Sequence, residues 1–170
     1  MEITDANTSE KAVLGLVLQP NRIYVLDRGY AKYGLLQQIV TIKSSFVCRI
    51  RDNAIYKTIE DKELTDKAVK ERIVFDKTVD LGGEKKDTKL ENIRLVAVKC
   101  TPKTGPSRTG GRGEPRQGQI ILIATNRFDL EPETISAIYK YRWTIEIYFR
   151  FFKHILGCRH LISHNKSQQR

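Results

Sequence analysis

Apolar residues repeat along this chain with two periods, and each change of period marks an element. Ala12, Val13, Leu16 and Val17 recur at helical spacing behind Thr8 or Ser9, either of which can cap a short helix that Pro20 and Asn21 end. The segment before them, MEITDAN, reads as the end of a strand breaking into a turn. Residues 23–26, IYVL, are continuously apolar and predict a central strand buried on both faces. A helix over residues 31–42 and a strand over 46–50 follow. Residues 51–98 differ: charges are frequent, Gly82 and Gly83 mark a turn, and 72–81 and 92–100 alternate as strands do. Residues 119–125, QIILIAT, form another buried strand. Pro132 suits the first position of a final helix, with Glu133 favourable in its first turn. Ile138, Ile145, Phe149, Phe152 and Leu156 give that helix an apolar stripe. Helices and strands in this order predict an α/β fold.

With 170 residues the chain can hold one domain with a real core, or a domain with an insertion. Its longest apolar run, residues 12–18, is too short to span a bilayer. The first residues lack a basic region followed by an apolar stretch and a cleavage site. A soluble, cytoplasmic protein with no membrane partner is therefore expected. Cys48, Cys100 and Cys158 are odd in number and widely spaced, which fits reduced thiols better than a disulfide framework.

The net charge of +10 is local. Residues 99–118 carry Lys99, Lys103, Arg108, Arg112 and Arg116 against Glu114, and residues 139–170 carry seven cations against Glu146. The remaining residues balance at 18 of each sign. Charge confined in this way is expected of a polyanion footprint, the alternative being a solvated basic surface. The loop at 101–118 is rich in Gly and Pro and is either a DNA-contacting arm or a linker that touches nothing. Gly105 and Gly110 match the glycine spacing of a phosphate-binding P-loop, but Gly111 stands where that loop needs Lys, so nucleotide binding is excluded.

The final helix also carries a polar stripe. Tyr139, Arg142, Glu146 and Lys153 fall within an arc of about 60° at roughly 100° per residue. Glu146 and Lys153 lie about 10 Å apart along the axis, a span suited to an extended polyanion rather than one small molecule. Arg142 and Lys153 would grip successive phosphates, and Tyr139 would offer a ring and a hydroxyl. Glu146 repels phosphate unless a cation intervenes, which implies a divalent metal. Asp27 ends the strand at 23–26 and precedes Gly29; ligands of open α/β sheets bind beyond such strand ends. His154, Cys158, His160 and His164 have one plausible zinc spacing but no paired cysteines before them, and read as helix-end and tail residues.

The spacing Tyr139, Arg142, Glu146, Lys153 resembles the Y-R-E-K signature of DDE transposases of bacterial insertion sequences, of the IS-four type. Asp27-Arg28-Gly29-Tyr30 resembles the second catalytic aspartate segment of the same enzymes, 119 residues before Glu146. The resemblance covers residues 3 to 163. It implies an RNase H-like mixed sheet flanked by helices, with residues 51–118 as a β-rich insertion that helps hold the transposon end. It implies Asp27 and Glu146 as catalytic, metal-binding residues for Mg²⁺ or Mn²⁺. Tyr139, Arg142, Lys153, Lys103, Arg108, Arg112 and Arg116 are the expected DNA contacts. The partners would be double-stranded DNA, as transposon ends and target, and a second copy in a homodimer of the intact protein.

The same family uses two aspartates and one glutamate to hold two metal ions. Asp5 matches a turn position rather than the first aspartate, so the first catalytic strand is expected to be missing. The chain then reads as a truncated catalytic domain, inactive in strand cleavage and transfer by itself. A non-catalytic DNA-binding remnant and a metal-dependent nuclease of the same fold are the alternatives.

Overall fold

The computed structural model describes residues 14–83, 89–100 and 118–155, and the chain divides into two compact units, Met1–Tyr139 and Lys140–Arg170. In the first unit the strands are β1 (Ile23–Leu26), β2 (Ser45–Ile50), β3 (Tyr56–Lys62), β4 (Ile73–Leu81), β5 (Leu90–Lys99) and β6 (Ile120–Thr125). The helices are α1 (Tyr33–Thr41), α2 (Asp66–Lys70) and α3 (Pro132–Ile155), with a single 3-10 turn at Arg28–Tyr30. Among the described residues the strands form one six-stranded sheet in the order β1-β2-β6-β5-β4-β3. The β1–β2 pair is parallel and the other neighbours are antiparallel. This is the mixed α/β sheet that the sequence predicts, consistent with an RNase H-like fold.

The continuous apolar runs are explained by packing on both faces. One layer joins Phe46, Cys48 and Ile50 of β2, Leu95 and Ala97 of β5 and Leu122 and Ala124 of β6 to Leu36 and Ile39 of α1. The opposite layer joins Val47, Val96, Val98, Ile121 and Ile123 to Ala68 of α2 and to Ile135 and Tyr139 of α3. Alternate residues of one strand thus enter different cores, so neither face can be polar.

Among the described residues strand β1 lies at an edge of the sheet, and Ile23 is 48% exposed. Its apolar run correctly reported that both faces pack, since Leu26 enters one core and Val25 lies against the other. Side chains stand perpendicular to the sheet, however, and say nothing about whether the hydrogen-bonding edge is paired. Strand β3 and helix α2 had no sequence signal. β3 is a mostly exposed edge carrying Lys57, Glu60 and Asp61, the charged composition with which sheets blunt an edge. Helix α2 is five residues long, and the Thr65 hydroxyl caps it by accepting from the Ala68 amide at 3.2 Å. Strands β3, β4 and β5 continue the same sheet as β2 and β6.

Candidate active site

Asp27 follows β1 directly, at the end of the sheet where β1 and β2 both finish. The chain turns away from it immediately: the Tyr30 amide donates to the Asp27 carbonyl at 2.9 Å and closes the 3-10 turn. The carboxylate is half-buried, and the Tyr139 hydroxyl donates to its Oδ1 at 3.1 Å. Tyr139 itself is 2% exposed, so its ring is a core element rather than a surface. The Cys48 thiol approaches the Asp27 carbonyl from β2 at 3.9 Å. Burial, and secondarily the Asp27 carboxylate, push that thiol up to about 12. It therefore remains a neutral thiol at physiological pH, and a poor ligand or nucleophile.

The path into α3 is fixed by polar groups that the sequence reading did not find. Arg94 of β5 forms a two-pronged pair with Asp76 of β4, Nε to Oδ1 at 2.9 Å and an Nη to Oδ2 at 2.6 Å, with both side chains 4% exposed. Its other terminal nitrogen donates to the carbonyls of Arg127, at 3.2 Å, and Leu130. One buried guanidinium thus joins two strands to the loop that leads to Pro132. The same loop is clipped to the start of β2. The Asn126 carboxamide accepts from the Phe46 amide at 2.9 Å and donates to the Ser44 carbonyl at 3.0 Å, and the Thr125 hydroxyl donates to the Phe46 carbonyl at 2.6 Å. The available signal was a charge inside each of two apolar strands, Asp76 in IVFDKTVDL and Arg94 in LENIRLVAVK.

The expected site residues divide accordingly. Asp27 and Tyr139 are brought into hydrogen-bond contact across 112 positions of sequence. The polar stripe of α3 begins at this buried tyrosine, and Arg142, in the second unit, is half-buried. The side chains of Glu146 and Lys153 lie outside the described residues, as do Lys103, Arg108, Arg112 and Arg116. Among the described residues no group of three or more His, Cys, Asp or Glu is positioned to hold a metal ion. Asp27 fits such an ion as one hard oxygen donor, half-exposed at a strand end and oriented by a neighbouring hydroxyl.

An α/β sheet with an aspartate at the end of a parallel strand, hydrogen-bonded to the helix that follows the last strand, defines the class. The family follows from comparison: residues 1–170 match the model described as the transposase DDE domain, and the chain belongs to that family. A protein of Sinorhizobium fredii that carries the name of a transposase is 29% identical over 177 residues, covering 100% of this chain and 44% of that protein. A protein of Geobacillus stearothermophilus named as a transposase for an insertion sequence element is 27% identical over 139 residues, 80% of this chain and 32% of that protein. The chain thus spans less than half the length of these curated relatives. DDE transposases depend in general on divalent metal. No helix among the described residues is long and apolar enough to cross a membrane.

Proposed function

We propose that this chain is a transposase catalytic-domain fragment of the IS-four type, part of a protein that cleaves and transfers strands at the DNA ends of an insertion sequence in the bacterial cytoplasm, and inactive in that reaction by itself. Its metal-binding carboxylates are Asp27 and Glu146, with Mg²⁺ or Mn²⁺ as the metal. The observation that carries this reading is the hydrogen bond from Tyr139 to Asp27. It links the first residue of the Y-R-E-K spacing to the aspartate of the DRGY segment, two motifs recognised separately in the sequence. A surface helix that only resembled the signature would have no reason to bury its tyrosine against that carboxylate.

A divalent ion held by Asp27 and Glu146 would supply Lewis-acid chemistry, polarising a phosphate and activating an oxygen nucleophile. The chain's own residues supply position and charge. Tyr139 holds one oxygen of Asp27, which fixes the direction of the remaining lone pairs. The strap from Arg94 fixes the start of α3. Arg142 and Lys153, and the cations of the 101–118 loop, contact DNA phosphates and set register without reading sequence. In the intact protein a homodimer brings two ends together.

The test is Mn²⁺ binding, followed by loss of the free-ion paramagnetic resonance signal. The wild-type chain is expected to bind, Asp27→Asn and Glu146→Gln to lose binding, and Tyr139→Phe to bind about tenfold more weakly, as for loss of an outer-sphere partner. Binding that survives both carboxylate substitutions would overturn the assignment.

A further inference from the structure

From Arg28 to Arg51 the chain contains five cations, Arg28, Lys32, Lys43, Arg49 and Arg51, and no acidic residue. The fold distributes them unevenly. Lys43 precedes β2 and lies at the far end of the strands, and Arg49 is buried within β2. The other three are exposed and collect at the end of the sheet where Asp27 lies. Arg28 is the first residue after Asp27, and Lys32 closes the turn that leads into α1. Arg51 follows the last residue of β2.

The parallel register fixes Arg51 relative to Asp27. Leu26 pairs with Cys48, so Asp27 is level with Arg49 and Arg51 lies two positions further on. That places it about 5 Å to the side and roughly 7 Å beyond Asp27 by strand geometry. Arg51 is also close enough to Tyr33 for its charge to oppose the upward shift that burial gives the phenol, and Tyr33 in turn senses Cys48. Among the described residues neither Arg28, Lys32 nor Arg51 forms an ion pair, whereas Lys67, Lys77, Lys89, Arg94 and Arg127 each hold a carboxylate. The surface is also uncovered by other described residues: a Cβ built on Gly29 or on Gly34 would meet nothing within 4 Å.

We infer that Arg28, Lys32 and Arg51 form a phosphate-binding surface that seats the backbone of the DNA presented to Asp27. This inference rests on the transposase reading and names contacts outside the Y-R-E-K spacing. Its physical basis is charge balance: a carboxylate at a strand end repels the phosphate it must approach, and three exposed cations gathered at that end, beside an Asp52 that Arg49 and Gln119 already engage, raise the local potential. Guanidinium groups suit the task because their planar donors match two phosphate oxygens at once.

The experiment measures affinity for a fluorescent DNA duplex of arbitrary sequence across a range of salt. The patch variant is Arg28→Gln with Lys32→Gln and Arg51→Gln. A control, Arg22→Gln with Lys43→Gln, changes exposed cations just before β1 and β2, at the opposite end of that parallel pair. The patch variant should flatten the slope of log affinity against log salt by about 2 to 3, near 0.9 per contact, and the control by less than 1. Equal changes in both variants, or none in the patch variant, would overturn the inference and leave the transposase reading standing. A wild-type chain that fails to bind duplex at low salt would overturn both.

Discussion

Two side chains reach the strand end at Asp27 from opposite faces of the sheet. Cys48 belongs to the core under α1 and Tyr139 to the core that includes the start of α3. Their chemistry differs. Tyr139 donates to the carboxylate, whereas Cys48 is a buried neutral thiol beside the backbone carbonyl. The thiol has a consequence for stability. Its folded value is pushed from 9.0 up to about 12, so between those limits the unfolded chain loses the proton while the folded chain keeps it. Stability then falls as pH rises, by up to about 1.4 kcal/mol per pH unit from this group. Tyr33 and Cys100 are raised by burial and act in the same direction. Urea unfolding between pH 8.5 and 10.5 should show the decline, and Cys48→Ala should lower stability throughout yet flatten it. An equally steep decline in the variant would mean that Cys48 ionises without opening the fold. The buried position of Tyr139 was not legible in the sequence: a stripe of four polar positions shows which residues share a side of a helix, not which of them the sheet covers.

At the scale of elements, the helix carrying Glu146 is anchored at its start by strands of the segment expected to be an insertion. Removing one partner of the Arg94–Asp76 pair leaves a buried charge without its partner, and also frees the carbonyls of Arg127 and Leu130. Arg94→Met alone should therefore cost about 3–5 kcal/mol in denaturant unfolding, and Arg94→Met with Asp76→Leu markedly less. A double variant as unstable as the single one would show that the loop contacts, not the ion pair, dominate. The elements themselves were largely readable. The expected strands at 23–26, 46–50, 72–81, 92–100 and 119–125 correspond to β1, β2, β4, β5 and β6, and Pro132 opens α3 as expected. These segments are legible because burial on two faces leaves long apolar runs, and because proline restricts where a helix can begin. The charged edge was not: β3 was hidden because a charged, exposed strand has no alternation to detect. Of the short helix expected before Pro20, residues 14–16 are helical and residues up to 13 lie outside the described residues, as does the loop at 101–117.

For the molecule as a whole, the issue is what two matched carboxylates can accomplish. Two-metal phosphoryl transfer holds the attacking and leaving oxygens between ions about 4 Å apart, and the resemblance assigns three carboxylates to that task. Only Asp27 and Glu146 match its acidic positions in this sequence. Under the proposed assignment, two carboxylates would leave the bridging position between the ions without a ligand from these 170 residues. Since catalysis of this kind depends on positioning and charge neutralisation rather than on covalent chemistry by the protein, loss of the bridge should remove most of the rate. DNA binding has no such requirement, because exposed cations act additively on the backbone. The chain should therefore bind supercoiled plasmid without nicking it in either Mg²⁺ or Mn²⁺, while a longer protein that supplies the first aspartate strand should nick it. The informative control is Glu146→Gln. Metal-dependent nicking by the 170-residue chain that disappears in this variant would show that a third carboxylate is present after all, and Asp5, outside the described residues, would be the first candidate to substitute.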